Sequence, residues 1–438
     1  MPFCRTKCSF CNFASGVFSR GVFDRYVAQV CAEIAGARAI AGELGGVFED
    51  SADSIYLGGG TPSVLAPDQL ERIIAAVRAA FEVDRAAEIT VECAPGTISD
   101  AMLDALLRCG VNRVSLGVQS FVDKESSAVG RLHTRAITLA DIARLRAGGI
   151  GNISIDLIAG LPHQTQDSWL FSLDEALATG VPHVSVYILE VDEDSRLGNE
   201  LLAGGSRYHA HFVPDDDLTA DLYLAACERL ERGGVRQYEI SNFARPVTHG
   251  IGLWNSRHNL KYWTRQPYIG FGVDAHSMLP AAAGVNAEAV RFAAADSLEA
   301  YSVKGLSVVG CQLSANAISD SRVFGRIQQL TCSRTLVDRQ AALEESFFLG
   351  LRLNRGVSLA QLRGEFGETA IADYAPVIAE LVEGGLLERV DDGLKPSPVH
   401  PKTADEWGTR LRLTSRGRLL SNEVFARFLR EPCGTADL

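Results

Sequence analysis

The sequence contains no long hydrophobic segment. Glycine or a charged residue interrupts every apolar run well before the roughly 18 residues that a membrane-spanning helix needs. The N-terminus also lacks the basic and then apolar pattern of a secretory signal peptide. We therefore expect a cytoplasmic chain, and the sequence leaves open whether it associates peripherally with a membrane or forms a homodimer.

An excess of positive charge is also missing. The chain has 42 Lys and Arg against 54 Asp and Glu, which gives a net charge of −12. Because nucleic-acid binding depends on Lys and Arg that neutralise phosphates, we expect no nucleic-acid partner. A small or hydrophobic partner is favoured instead. The 438 residues, 47% of them hydrophobic, are enough for two or three packed units.

Most of the cysteines lack the spacing of metal ligands. In a reducing compartment, ten cysteines are better explained as ligands or as small buried residues than as disulfides. Seven of them are scattered, and we interpret these as ordinary core or surface residues. The seven are Cys31, Cys93, Cys109, Cys227, Cys311, Cys332 and Cys433.

Short β-rich runs alternate with amphipathic stretches in the first half of the chain. One strand and one helix every 25 to 40 residues indicate parallel strands joined by right-handed crossovers, in either a doubly wound sheet or a barrel. Both architectures place their sites after the strand ends. The predicted strands are residues 54–57, 88–92, 113–120, 152–158 and 183–189.

The first predicted helix has no strand before it. Apolar residues at helical spacing predict this helix over residues 23–41, with a cysteine-containing loop ahead of it. Only Met1–Phe3 precede the first cysteine, which is too few residues for a strand. We therefore expect that a first strand lies upstream of Met1.

The regular alternation stops near residue 214. A helix-rich segment with a hairpin near its end then resembles a winged helix, but its candidate recognition helix has three acidic residues and no Lys or Arg, which argues against DNA binding. The predicted domains are an α/β unit at 1–213, an extension with the motif HNLKYW at 214–304, an irregular linker at 305–340 and a winged-helix-like α+β domain at 341–438.

Three cysteines fall within eight residues at the start of the chain. A closed structural zinc site needs four nitrogen or sulfur ligands, and Cys4, Cys8 and Cys11 supply three. In a [4Fe–4S] cluster, three cysteines ligate three irons and leave the fourth iron open to a small molecule. The spacing alone leaves both a cluster and a zinc site open.

Polar residues interrupt three of the predicted strands. Parallel strands that are buried on both faces should be nearly all apolar, so Glu92, Gln119 and Asp156 each need a partner, either a nearby hydrogen-bonding group or a ligand. A glycine-rich turn, LGGGTPS, follows the predicted strand at residues 54–57. Its glycines let the backbone approach a zwitterion closely, although an ordinary turn is the alternative.

Together these features resemble the radical S-adenosylmethionine (SAM) enzymes. Their hallmark is CxxxCxxC with an aromatic residue before the last cysteine, which is Phe10 here. The resemblance implies a partial (β/α)6 barrel, a [4Fe–4S] cluster on the three cysteines, and SAM bound to the open iron and cleaved to a 5′-deoxyadenosyl radical. It also implies that the SAM pocket contains Gly59, Gly60, Thr61, Glu92, Gln119, Arg131 and Asp156.

Motifs along nearly the whole chain resemble those of one smaller group within the radical SAM enzymes. LGVQSF, GRLHT, DLIAGLP, QYEISNFA, HNLKYW and YIGFGVDAHS are similar to those of the porphyrin-metabolism family that holds oxygen-independent coproporphyrinogen III dehydrogenase and the heme chaperone HemW. The dehydrogenases carry a fourth cysteine where this chain has Phe13. HNLKYW is associated with heme binding in the chaperones. Both features favour a chaperone that inserts heme into apo-hemoprotein clients.

The motif HNLKYW offers groups that suit heme. His258 supplies an imidazole, while Tyr262 and Trp263 supply flat apolar surface. The alternative is a packed turn whose histidine bonds a backbone carbonyl. His276 is a second candidate, and we expect the histidines near residue 210 to be incidental surface residues.

Two other functions of the protein stay open: decarboxylation of coproporphyrinogen III, and a zinc-stapled adaptor.

The chain departs from the family pattern in two places. The segment that usually precedes the cysteines is absent, together with a Tyr expected to contact SAM, so the resemblance leaves open how fully this chain binds cluster and SAM. His163 stands where the relatives have Gly in GLPGQT.

Overall fold

The computed structural model describes residues 1–247, 254–302, 331–391 and 409–430. The first half of the chain forms a twisted α/β unit that is built on one seven-stranded sheet. Among the described residues, no helix is long and apolar enough to span a membrane.

The sheet confirms all five predicted strands. Its strand order is β1-β2-β3-β4-β5-β7-β6. The first five strands pair in parallel, and β7 pairs with β5 in the antiparallel sense. The arrangement is a partial α/β barrel. The strands are β1 (Ser51–Leu57), β2 (Glu82–Cys93), β3 (Arg113–Gln119), β4 (Asn152–Ala159), β5 (His183–Ile188), β6 (Arg236–Gln237) and β7 (Asn242–Ala244).

Helices connect the parallel strands and cover the outer face of the sheet. Local signals set their ends: Pro67 occupies the first turn of α3, and the Ser99 hydroxyl accepts a hydrogen bond from the Met102 amide (3.2 Å) at the start of α4. The helices are α1 (Arg20–Ala35), α2 (Ala37–Glu43), α3 (Pro67–Ala80), α4 (Asp100–Arg108), α5 (Asp123–Ala128), α6 (Arg135–Ala147), α7 (Gln166–Thr179), α8 (Arg196–Ala203), α9 (Asp216–Arg232) and α10 (Arg257–Trp263).

The helix predicted over residues 23–41 is divided in two. Gly36 ends α1, and its amide donates to the carbonyls of Ala32 and Glu33, after which α2 begins. Glycine weakens a helix because it loses more backbone freedom on folding than any other residue. The apolar spacing therefore predicted the helical conformation correctly but not the break.

The two faces of the sheet differ in polarity. On each strand, every second side chain points toward the helices. These side chains are fully buried in one hydrophobic core, as Val114, Leu116 and Ile155 are. The alternate positions face the inside of the barrel and are mostly polar. Register places four of them in one row across β2 to β5, namely Glu92, Ser115, Ser154 and His183.

A second sheet is antiparallel and has the order β10-β9-β8. Its third strand corrects part of the predicted linker at 305–340, because Thr331–Val337 pairs with Ala289–Ala294 and forms regular structure. Residues 303–330 lie outside the described part of the chain. The strands are β8 (His276–Pro280), β9 (Ala289–Ala294) and β10 (Thr331–Val337).

The C-terminal part has the helix and strand order expected for a winged-helix-like unit. Its three-stranded sheet has the order β11-β13-β12, and Phe347 stacks on Phe428 in its core with ring centroids 4.5 Å apart. The predicted turn at 391–393 falls largely outside the described residues. The elements are α11 (Arg339–Leu351), β11 (Val357–Ser358), α12 (Leu359–Phe366), α13 (Glu368–Ala372), α14 (Ala375–Glu383), β12 (Leu387–Asp391), β13 (Thr409–Leu413), α15 (Ser415–Leu419) and α16 (Ser421–Ala426).

Strand β1 forms one edge of the seven-stranded sheet as described. Beyond its end, the Met1 ammonium donates to the Gly58 carbonyl (2.7 Å), and the Met1 carbonyl accepts from the Gly60 amide (2.6 Å). The start of the chain is therefore held against the glycine-rich turn. An upstream strand stays a prediction.

Candidate functional site

Backbone contacts fix the cysteine loop, residues 4–11, over the carboxyl end of the barrel. The Ser9 amide donates to the Val129 carbonyl (3.1 Å), and the Thr6 hydroxyl donates to the Gly130 carbonyl (2.9 Å). These acceptors belong to the turn VGRLH after α5. The loop therefore has a defined position although it contains no helix or strand of its own.

The aromatic residue of the cysteine motif packs against the barrel. Phe10 lies beside Val129, Ile158 and Leu161 in a small apolar cluster at the end of β4. It thereby holds the cysteine loop close to the strand that carries Asp156. This is a packing role, which is distinct from direct contact with a ligand.

The three cysteine thiols face a common region. Burial raises the pKa of Cys8, Arg131 opposes that rise, and the thiols of Cys4 and Cys11 are close enough to add to it. The Cys4 sulfur accepts a hydrogen bond from the Thr61 hydroxyl at 3.7 Å.

Within the described part of the chain, no three His, Cys, Asp or Glu side chains are grouped closely enough to hold a single metal ion. Three thiolates that bind three different irons of a cluster need not converge on one point. The donor set, three thiols and no fourth ligand, therefore fits an iron–sulfur cluster with one open iron better than a closed zinc site.

The glycine-rich turn leaves room for a buried carboxylate. The Glu92 carboxylate accepts from the Tyr56 hydroxyl (2.7 Å) and from the Gly59 amide (3.0 Å), and burial raises its pKa. A Cβ at Gly58 would lie 2.8 Å from a Glu92 oxygen, and one at Gly60 would lie 2.7 Å from the backbone oxygen of Phe3. A side chain at Gly58 would push the turn away from the carboxylate, and one at Gly60 would push it away from the start of the chain.

Gln119 and Arg131 converge above a third glycine. A Cβ at Gly117 would lie 2.9 Å from an Arg131 Nη atom and 3.1 Å from Gln119 Nε2. Gln119 adopts the left-handed backbone conformation (φ 70°) at the irregular end of β3, which directs its side chain away from the regular strand alternation. The buried Nε of Arg131 has no hydrogen-bond partner among the described residues, so it is available to a ligand.

Asp156 lies inside the barrel and is held by serines. Its carboxylate accepts from the Ser115 hydroxyl (3.0 and 2.9 Å) and from the Ser154 hydroxyl (3.3 Å), while burial raises its pKa. Ser154 also bonds His183 Nδ1 (2.8 Å), and His183 Nε2 bonds the Tyr238 hydroxyl (2.9 Å). A continuous buried hydrogen-bond chain therefore begins at Asp156.

His258 is placed on a helix, α10, and its ring contacts side chains only. The Ser54 hydroxyl bonds Nδ1 (3.0 Å), and the Tyr262 hydroxyl bonds Nε2 (2.9 Å). The ring stacks on Tyr56 with centroids 5.0 Å apart. Burial lowers the pKa of His258 to about 4, so the imidazole is neutral at pH 7. The alternative interpretation is wrong in placing the histidine in a turn against a backbone carbonyl, but both ring nitrogens are bonded within the protein, and heme binding at His258 stays a prediction.

A cavity of about 710 Å³ lies beside α10 and the free edge of β1. His258, Lys261, Tyr262 and Tyr268 line one end, whereas apolar side chains of α1 and α3 line the other. This volume falls in the range of roughly 300 to 1,000 Å³ that is usual for small-molecule sites. His276 lines the rim, where it is 67% exposed and lies 3.7 Å from Asp274.

Sequence reasoning missed three residues of the barrel interior. Tyr56 links Glu92 to His258, His183 continues the chain from Asp156, and Arg113 is only 2% exposed with no described partner for its Nε. The available sequence signal was a polar residue at every second position of a strand. Using that signal requires knowing which face of the strand points into the barrel.

Comparisons with known proteins identify the family of this chain. The radical SAM superfamily matches residues 1–176, and the HemN C-terminal domain matches residues 337–398. The heme chaperone HemW of Lactococcus lactis is 30% identical over 98% of this chain and 96% of its own length, and that of Bacillus subtilis is 30% identical over 98% of both chains. The chain belongs to the HemW family of radical SAM proteins.

A solved structure shares the fold. The coproporphyrinogen III oxidase HemN of Escherichia coli superposes with a TM-score of 0.74 at 21% identity, over 98% of this chain and 88% of that chain. Membership of the radical SAM superfamily implies a [4Fe–4S] cluster and SAM as cofactors. The similarity to HemW proteins favours the chaperone over the dehydrogenase and the zinc adaptor.

Replacing Gly117 with Ala should weaken SAM binding at least tenfold, because the new methyl group would displace Arg131 and Gln119. Equilibrium dialysis of labelled SAM against anaerobically reconstituted protein measures this. Gly151→Ala is the matched control, since a Cβ there has no neighbour within 4 Å. Wild-type affinity in Gly117→Ala would contradict the assignment of these two side chains to the SAM pocket.

Proposed function

We propose that this protein is a heme chaperone: it binds a [4Fe–4S] cluster, SAM and heme, and passes heme to apo-hemoproteins. The observation that carries the proposal is the cavity beside α10, which presents a neutral imidazole and aromatic rings. Relatives that match nearly the whole chain are named heme chaperones, which supports the same conclusion.

In this proposal, Cys4, Cys8 and Cys11 hold the cluster. When bound, the cluster supplies an open iron for the amino and carboxylate groups of SAM and an electron for its sulfonium. The chain itself orients SAM: the amides at Gly59 and Gly60 bond Glu92 and Met1, so the turn offers its backbone carbonyl groups to the ammonium of the methionine end.

The other groups of the SAM pocket would contact the rest of the molecule. The Arg131 guanidinium is available for a carboxylate, because its Nε is unpaired. Gln119 lies beside it, and Asp156 and Glu92 offer acceptors for hydroxyl or amino groups. Since each carboxylate already accepts bonds from the protein, its position is fixed before SAM binds.

Heme is the cargo, and the polar end of the cavity is its proposed site. His258 can donate the Nε2 lone pair to the heme iron, because the pKa of about 4 keeps the imidazole unprotonated. Tyr262 and Tyr268, whose rings meet edge to face at 4.6 Å, offer apolar surface to a porphyrin. Lys261 lies at the rim, paired with Asp53 at 2.7 Å, where a propionate can reach its ammonium.

A chaperone must also release its cargo. The Tyr262 hydroxyl bonds His258 Nε2 (2.9 Å), and in this proposal that bond would give way to the bond with the heme iron. When heme leaves, the hydrogen bond from Tyr262 would replace the bond to iron. His258 Nε2 would therefore not be left buried without a partner. This lowers the free-energy difference between the loaded and empty states and favours transfer.

The geometry does not favour coproporphyrinogen decarboxylation. Phe13, at the position of the dehydrogenases' fourth cysteine, is 61% exposed and supplies no thiol. Anaerobic incubation with coproporphyrinogen III, SAM and reductant should yield no protoporphyrinogen. Turnover would overturn the chaperone proposal.

Replacing His258 with Ala should reduce heme affinity at least tenfold, because the iron loses its nitrogen ligand. The Soret absorption of protein titrated with heme measures the affinity. His276→Ala is the matched control on the rim of the same cavity and should bind as wild type does. Equal loss in both variants, or loss in neither, would contradict the assignment of His258.

Heme affinity should change less than twofold between pH 8 and pH 5.5. Ligation requires neutral imidazole, and the pKa of about 4 means that protons compete only as the pH falls toward that value. A histidine with the usual pKa of about 6.5 would lose roughly tenfold over the same interval. A titration midpoint near pH 6.5 would show that another, exposed histidine binds the heme.

Serine at Cys4, Cys8 or Cys11 should abolish most of the iron and sulfide that wild type takes up, about four of each per chain. Cys109→Ser is the control, because this buried cysteine lies in the hydrophobic core. Anaerobic reconstitution followed by metal and sulfide analysis tests this. Stoichiometric zinc without iron or sulfide in wild type would favour the adaptor function.

A further inference from the structure

Two histidines that the proposed function does not use face each other on the protein surface. His163 follows β4 in the loop GLPHQT, and His209 lies in the segment between α8 and α9. Their Nε2 and Nδ1 atoms share a hydrogen bond at 3.3 Å, and the ring centroids are 5.1 Å apart. The contact joins segments that are 46 residues apart in sequence.

Both histidines are held in an unfavourable backbone conformation. His163 has φ 67° and His209 has φ 61°, the left-handed region, which is unfavourable for a residue with a Cβ. The His163 amide donates to the Phe212 carbonyl (3.0 Å), and the Phe212 amide donates to the His209 carbonyl (2.9 Å). These bonds lock the two backbones so that the imidazoles meet.

The segment around His209 is fixed independently. The Glu200 carboxylate accepts from the Tyr208 amide (2.8 Å) and from the Ala210 amide (3.1 Å), on either side of the histidine. The position of the imidazole is therefore set by the chain around it, and it does not depend on the contact with His163.

The separation of the two nitrogens matches a shared metal ion. Two imidazoles that bind one tetrahedral Zn²⁺ at the usual distance of about 2.0 to 2.1 Å place their nitrogens about 3.3 to 3.4 Å apart. We propose that His163 and His209 form a site for a first-row divalent transition-metal ion such as Zn²⁺. The structure describes no third His, Cys, Asp or Glu that joins them in a group, so water or an external ligand completes the coordination.

The protonation state and surroundings are compatible with a ligand pair. Burial and the nearby Lys124 lower the pKa of His163, which keeps its imidazole neutral and able to coordinate at pH 7. Among the described residues, no hydrogen bond joins His211 to the pair; its ring lies against Phe212 with centroids 4.2 Å apart, on the same side chain that the His163 ring contacts at 4.1 Å.

A metal ion here would fasten a loop that touches the cysteine loop. Leu161, two residues before His163, packs in the apolar cluster with Phe10. The ion would link this loop to the segment before α9 and would limit its motion. The site thus lies outside the proposed cluster, SAM and heme positions but next to the element that supports the cysteines.

Isothermal titration of the cluster-reconstituted full chain with Zn²⁺ tests the site. We expect one ion per chain, with affinity reduced at least tenfold in His163→Gly and in His209→Asn, since Gly and Asn both tolerate the left-handed conformation. His211→Gln is the matched control and should bind as wild type does. The double variant should bind Zn²⁺ no more tightly than either single variant, because each single change already leaves the ion with one imidazole.

Two outcomes would overturn the proposal. Unchanged Zn²⁺ binding in His163→Gly and His209→Asn would place the ion elsewhere, and equal loss in His211→Gln would indicate non-specific binding by surface imidazoles. Circular dichroism of each variant verifies that the fold is retained. None of these measurements depends on heme or SAM, so the result is independent of the chaperone proposal.

Discussion

The inner face of the barrel buries carboxylates, and the arrangement of the whole site depends on how they are satisfied. A buried charge without hydrogen bonds is far more costly than an apolar side chain in the same place. Glu92 is satisfied by Tyr56 and the turn at Gly59, and Asp156 by two serines on its own and the neighbouring strand. Strand register brings these partners together, so the fold and the site are specified by the same contacts.

Hydrogen bonds connect the proposed SAM pocket with the proposed heme site. Asp156 connects through Ser154, His183 and Tyr238 to the amide of Ser256, which caps the N-terminus of α10. Glu88 also accepts bonds from the first amides of this helix. The helix that carries His258 is therefore attached to the strand that carries Asp156 without a direct contact between those two residues.

The sequence allowed the five parallel strands and the cysteine motif to be predicted, because periodicity and spacing are local. Glu92, Gln119 and Asp156 were recognisable since each breaks an apolar run. Arg113, His183 and Tyr56 were not, because their inward orientation depends on register between strands. Strand β10 was missed for a similar reason: its partner β9 lies across more than 30 intervening residues. The pairing of His163 with His209 likewise depends on tertiary structure.

Tyr56 contributes to both halves of the molecule with different atoms. Its hydroxyl serves Glu92, and the face of its ring supports His258. The contact with Glu92 and the contact with His258 therefore both constrain the residue at this position. Whichever contact tolerates fewer side chains sets the limit. A substitution at Tyr56 would therefore disturb Glu92 and His258 together, so this residue alone cannot be used to separate the contribution of one from that of the other.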